Sequence, residues 1–196
     1  MAGLKSAGRV SVARGFALVG MLLLAGWPVL AAPAEDGPTA LERRVKAAFV
    51  FKFAGYVEWP AEAFPRADTP VTIAVAGDDE LAAELAQAVA GRTVNGRPLL
   101  VRRLKGVESL ADVDLLFVGR AEIARLPQWV KMARSRPILI VTEVPGALNH
   151  GSMINFLVIQ ERVRFEISLD EAEKRGLRLS SRLLAVAQNV RKATPQ

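Results

Sequence analysis

The sequence contains no cysteine. Disulfides, thiol nucleophiles, thiolate metal sites and thiol redox sensing by this chain are excluded, so the fold must rely on its core. Histidine is nearly as scarce: His150 is the only one. Without a G-x-S-x-G elbow it has no nucleophile with which to build a Ser-His-Asp triad. H-E-x-x-H is missing as well, which removes the familiar zinc arrangements. Neither G-x-G-x-x-G nor G-x-x-x-x-G-K-[ST] occurs, so no phosphate-cradling loop of those kinds is written in the chain. Long apolar runs are also absent. Gly15 to Gly26 is uncharged and mostly apolar, but it falls short of the roughly 20 residues that a membrane span needs.

That short run has a different meaning. Lys5, Arg9 and Arg14 precede it with no acidic residue among them, Pro28 follows it, and small residues stand at Ala31, Ala32 and Ala34. This is the order of a secretory signal peptide, and it predicts a leader over 1–34 and a mature domain over 35–196 that works outside the cytoplasm. The cut is expected between Ala31 and Ala34. An uncleaved N-terminal anchor is the competing reading. The lack of cysteine excludes a lipoprotein anchor on this chain, and the lack of an Arg-Arg pair in the basic region before the apolar run favours the general export route. The whole chain carries 26 basic and 20 acidic residues, a formal +6. Without the leader's three basic residues the balance is 23 to 20, or +3. So mild an excess gives little support for nucleic-acid binding.

Thr39 with Glu42 forms a capping-box pattern that opens a helix running to about Gly55. Leu41, Val45, Phe49, Phe53 and Tyr56 recur three or four apart as its apolar face, yet Val50, Phe51 and Ala54 make it apolar nearly all round. Trp59-Pro60 ends it, and a loop to Pro70 follows. Val71 to Ala76 reads as a buried strand. Asp78 then caps a helix over Glu80 to Ala90, closed by Gly91. Asn95-Gly96 predicts a tight hairpin leading into a strand over Leu99 to Leu104. Val113 to Val118 and Pro137 to Thr142 are further buried strands. Between them Glu122 to Ala133 is a helix with an irregularity at Pro127. A second hairpin joins Met153 to Ile159 with Val163 to Ile167 across Gln160-Glu161-Arg162. Ser168 with Glu171 repeats the capping-box pattern, and a last helix begins at Ser180 or Ser181, with Leu183, Leu184, Ala187 and Val190 inward. Strands alternating with helices, together with two hairpins, predict a single α/β domain. Its sheet is expected to be mixed and mostly buried, with helices on both faces and a C-terminal hairpin followed by two helices.

Candidate chemistry is sparse. Gly77-Asp78-Asp79 sits at a strand-to-helix turn where anions often bind, but two aspartates repel phosphate and helix capping is the better reading. Asp112, Asp114 and Glu143 lie near strand ends, and their spacing does not show that any two converge. Arg102, Arg103 and Lys105 read as a solvated strand edge. Phe49, Phe51, Phe53, Tyr56 and Trp59 form the densest aromatic segment, suited to a core or to a partner groove. The loop around His150 is glycine-rich, which leaves a ligand role or simple solvation open.

Four stretches together resemble the YfiR family. They are Val45 to Pro60 (VKAAFVFKFAGYVEWP), Thr93 to Leu104 (TVNGRPLLVRRL), Gly151 to Phe156 (GSMINF) and Arg162 to Leu184, which begins RVRFEIS and ends GLRLSSRLL. They stand in the family's order behind a leader. The resemblance implies a small periplasmic α/β protein without catalytic residues or a cofactor. Its implied partner is the periplasmic sensor domain of an inner-membrane diguanylate cyclase, which it represses, lowering cyclic di-GMP and biofilm formation. A YfiB-type outer-membrane lipoprotein is implied as a second partner, and homodimerisation as a further expectation. Cysteine-based redox control, known in the family, cannot carry over. For the binding surface we single out Phe53, Tyr56, Trp59, His150, Asn155 and Arg164. The aromatics would anchor, and Asn155 and Arg164 would orient a polar partner or else satisfy backbone groups beside the C-terminal hairpin. A small-molecule sensor module is the alternative function. A hydrolase is the weakest reading, for want of a nucleophile–base pattern.

Overall fold

The computed structural model describes residues 39–192, so the predicted leader lies outside the described residues. Thr39 caps α1 (Ala40–Tyr56), its Oγ1 accepting from Glu42 N at 3.1 Å. The helix is rotated away from the face that periodicity suggested. Leu41 is 72% exposed, whereas Lys46, Ala47, Val50, Phe53 and Ala54 are buried. A helix apolar on most sides leaves its rotation undetermined by apolarity alone, and the partners of Lys46, given below, select it.

From there the chain runs through β1 (Val57–Glu58), β2 (Val71–Ala76), α2 (Asp79–Val89), β3 (Thr93–Val94), β4 (Arg97–Leu104) and β5 (Leu115–Val118). A 3₁₀ segment, Arg120–Arg125, leads into α3 (Leu126–Met132), with Pro127 at its start. The single helix expected over Glu122 to Ala133 is thus split, because proline suits a first helical turn and not an interior. Then follow β6 (Leu139–Thr142), β7 (Ile154–Ile159), β8 (Arg162–Ser168), α4 (Leu169–Glu173), β9 (Arg178–Leu179), α5 (Ser181–Val186) and β10 (Asn189–Arg191).

The strands build an eight-stranded sheet in the order β10-β8-β7-β6-β5-β2-β4-β3, and β1 pairs with β9 in a separate ribbon. From β4 through β7 all neighbours are parallel; β3 and β8 join antiparallel through the two predicted hairpins. The expected mixed α/β sheet is therefore observed. Both hairpin turns carry positive φ on their central residues: 51° and 78° at Asn95 and Gly96, 48° and 60° at Gln160 and Glu161.

Alternation along the strands splits the core into two layers. Ile73, Val75, Leu115, Phe117, Leu139 and Val141 pack with α1 and α2, while Ala74, Ala76, Leu116, Val118 and Ile140 pack with Leu126 and Trp129 of α3. Phe53 lies at the centre of the first layer, its ring centroid 5.0 Å from Phe165 and 5.6 Å from Phe156. Burying each such ring is worth about 1.5–3 kcal/mol.

Two expectations at the C-terminal end need correction. Ser168 makes no side-chain cap to α4; it still belongs to β8, where its N–H donates to Met153 O at 2.8 Å. The last helix ends at Val186, and Asn189–Arg191 joins β8 as a parallel strand. Gln188 N donates to Phe165 O at 2.8 Å, so the backbone groups along the otherwise open flank of β8 draw the chain out of the helix. Val190 consequently remains partly exposed.

Candidate functional site

In open α/β sheets, ligands usually bind beyond the carboxyl ends of the strands where the strand order reverses. Here that point lies between β2 and β5, and it is closed by backbone. Gly119 N donates to Ala76 O at 2.7 Å. A Cβ on Gly119 would stand 2.7 Å from Gly77 O, and one on Gly77 would stand 2.8 Å from Glu122 N. Asp78 turns inward to cap α2, its Oδ1 accepting from Leu81 N at 2.8 Å, as the capping reading required.

A buried polar network adjoins this closure. Lys46 Nζ lies 2.5 Å from both Glu42 Oε1 and Glu143 Oε2, with Lys46 and Glu143 almost fully enclosed. Glu143 Oε1 accepts from Arg120 N at 3.2 Å, which links α1 to the segments after β5 and β6. Next to it, Asn155 Oδ1 accepts from Thr142 Oγ1 at 2.8 Å and Val144 N at 3.0 Å, and its Nδ2 donates to Glu166 at 3.0 Å. Ser152 Oγ is buried among Thr142 Oγ1 and the Ile154 carbonyl. These groups satisfy one another and present no nucleophile to solvent. The sequence signals for the network were the i, i+4 spacing of Glu42 and Lys46 and an acid just beyond a strand end at Glu143.

The six residues singled out from sequence do not form one site. Phe53 is fully buried in the aromatic core and Asn155 is fully buried in the network above, so neither offers a surface to a partner in this fold. Tyr56 and Trp59 are half-buried near the end of α1, where Trp59 packs edge-on to Phe64 at 5.9 Å. Arg97 covers the Phe64 ring at 4.4 Å and donates to the carbonyls of Arg66, Ala67 and Thr69. The Pro60–Pro70 loop is thereby pinned. His150 is exposed beside a recess of about 300 Å³ formed with Leu126, Pro127, Val144 and Pro145. Arg164 is exposed on β8 opposite Leu157, near the exposed Val158 and Ile159 of the hairpin.

The amino-terminal edge of the sheet is more open. The pinned loop walls two adjoining clefts of about 350 and 490 Å³, shared by Glu62, Ala63, Asp114 and Arg136. Asp114 is the buried acid there, and it accepts from Thr72 N at 2.8 Å. Burial pushes its carboxyl up to about 6, against the Thr72 N–H and Arg136, which favour the charged form. Sequence inspection marked Asp114, but its position against Glu62 and Arg136 depends on topology. Among the described residues no three acids or histidines are placed to hold a metal ion.

The raised pKa fixes a sign. Between roughly pH 4 and 6 the folded protein holds more protons at Asp114 than the unfolded chain, so this group's contribution to stability falls as pH rises through that window. Asp114→Asn keeps an acceptor for Thr72 N and removes the charge. It should flatten the slope and stabilise the domain at neutral pH by about 1–2 kcal/mol, after discounting for the carboxyl's contact with the cleft. Urea unfolding of both forms across this pH range measures it, and parallel pH profiles would contradict the assignment.

The YfiR/HmsC-like family model matches residues 43–188. The chain belongs to this family. All four stretches that carried the resemblance fall inside the match: α1 with β1, the β3–β4 hairpin, the start of β7, and β8 through α5. Among solved structures, a conserved domain protein from Vibrio cholerae O1 biovar El Tor str. N16961 aligns with a TM-score of 0.54 at 10% identity. The alignment covers 76% of this chain and 60% of that one. At such identity the likeness concerns the fold alone.

Proposed function

We propose that this YfiR/HmsC-like chain is a non-catalytic periplasmic regulator that binds the periplasmic sensor domain of an inner-membrane diguanylate cyclase and represses it. Cyclic di-GMP and biofilm formation would fall as a result. Family membership over residues 43–188 carries the reading. The geometry is compatible with it: the usual ligand crevice is packed shut, and the polar groups beside it are bonded to one another. Among the described residues no helix is long and apolar enough to cross a membrane. A binder of this kind controls an enzyme only by preferring one of its states, so the cyclase must display different surfaces when active and inactive. Tyr56, Trp59, His150 and Arg164 are the accessible members of the predicted surface. Sequestration by a YfiB-type lipoprotein and assembly as a homodimer belong to the same proposal.

Deleting the gene should raise cellular cyclic di-GMP. A copy carrying residues 1–34 should restore the low level, and a copy lacking them should not. Unchanged cyclic di-GMP in both biofilm and planktonic cultures would defeat the proposal. The cleft around Asp114 favours small-molecule sensing as a second reading. Its test is a thermal shift with a metabolite panel, in which a ligand at about 100 times its Kd adds about 2.7 kcal/mol of stability.

A further inference from the structure

β3 covers only Arg97 and Pro98 of β4. From Leu99 to Leu104 the strand has β2 along one side and, among the described residues, no strand along the other. An open edge is a template for another extended chain, and edges are commonly blunted by shortness, bulges, proline or charged side chains, of which this one has only the last along Leu99 to Leu104. This stretch pairs with β2 residue for residue over its six positions, without a bulge. It also displays apolar surface. Leu100 is 52% exposed on the α3 side of the sheet. On the α2 side, Ala86, Val89 and Ala90 form, with Leu99 and Val101, an open apolar groove of about 370 Å³.

Charge indicates what fits. Arg92 flanks the groove, its guanidinium 5.3 Å from the Phe51 ring centroid. Arg103 and Lys105 are exposed at the far end of the strand. None of these three is in an ion pair among the described residues, although Glu108 lies close enough to accept from Lys105 N at 2.7 Å. Arg102 is engaged, donating to Ser109 O. A second copy pairing antiparallel here would add its own Arg102, Arg103 and Lys105 to an edge that is already basic, and Leu99 to Leu104 holds no acid to pair with them. The basic residues therefore discourage self-pairing and favour a strand of opposite charge.

We propose that the outer edge of β4 binds an acidic, extended segment of a partner protein as an added strand. Alternate side chains of that segment enter the groove beside α2, and its carboxylates meet Arg92, Arg103 and Lys105. The surface is independent of whether a diguanylate cyclase is the regulated enzyme.

The test uses the whole protein and a short synthetic peptide of alternating valine and glutamate. One control peptide carries lysine in place of glutamate, and another has a central proline. The acidic peptide should bind and slow amide exchange at Leu99 to Leu104; neither control should bind. Affinity should fall with added salt. The surface variant R103E/K105E, whose fold is checked by circular dichroism, should weaken the acidic peptide by about tenfold or more and admit the lysine peptide. Absent binding, equal binding of both charges, protection at another edge, or an R103E/K105E affinity equal to wild type would each overturn the proposal. Self-association of the free protein through Leu99 to Leu104 would do so as well.

Discussion

Replacing Lys46 with methionine should destabilise the domain by about 3–5 kcal/mol, the usual cost of leaving a buried charge without its partner. Nζ lies between Glu42 and Glu143, and of the two acids Glu143 is the more deeply enclosed. Methionine fills much of the volume of the lysine stem, so the loss would report on charge more than on packing. Glu42 retains a path to water, whereas Glu143 would stay buried with only Arg120 N as a donor among the bonds described. The double variant K46M/E143Q separates these effects. Glutamine still accepts from Arg120 N and carries no charge, so it should recover most of the loss. Urea midpoints at unchanged slope measure both steps. A cost below about 1 kcal/mol for Lys46→Met would show that Glu143 finds another partner or water. Lys46 also holds α1 to the segments after β5 and β6, and α1 leads directly into Tyr56 and Trp59 of the proposed binding surface.

Local grammar was legible where one residue type decides one conformation. Asn95-Gly96 specified a turn with two positive φ angles, Asp78 specified a helix start, and continuous β-branched runs specified buried strands. Lys46 was not legible as a core residue, because a lysine among alanines and phenylalanines reads as a solvated position until Glu143, 97 residues away, is folded against it. The β1–β9 ribbon escaped notice for a similar reason: each arm is only two residues long, and a pairing that short leaves no alternation to read. β10 was hidden within a helical pattern that the open flank of β8 overrides. Phe53 and Asn155 attracted attention as an aromatic and an amide in family-like motifs, but the fold uses both internally. The clefts at the amino-terminal edge arise from a loop pinned by Arg97, a contact between residues about thirty apart that no local pattern announces.

Gly119→Ala should destabilise the domain by about 2–4 kcal/mol even though the backbone there suits any residue. Gly119 has φ −74° and ψ 171°, so alanine meets no conformational penalty. The obstacle is Gly77 O, 2.7 Å from the added carbon, and backbone cannot swing aside as a side chain can. Moving it would stretch the Gly119 N to Ala76 O bond that closes the crevice. Gly77→Ala faces two costs together: φ is +78°, and Glu122 N stands 2.8 Å from the new carbon. A loss of about 3–5 kcal/mol is expected there. Gly146→Ala is the control, with φ +79° and open space around the new carbon, so it should lose only the conformational part, about 1–2 kcal/mol. The ranking Gly77, Gly119, Gly146 by urea unfolding tests whether the crevice is sealed by contact or merely lined by permissive turns. Equal losses at Gly77 and Gly146 would show that contact contributes nothing. The double variant G77A/G119A should lose less than the sum of the single losses, because either methyl group already forces the two turns apart. If this crevice is a packed joint and the proposed repression holds, folded Gly119→Ala protein should still repress, with activity following the folded fraction. A ligand crevice at the same place would lose its function before its fold.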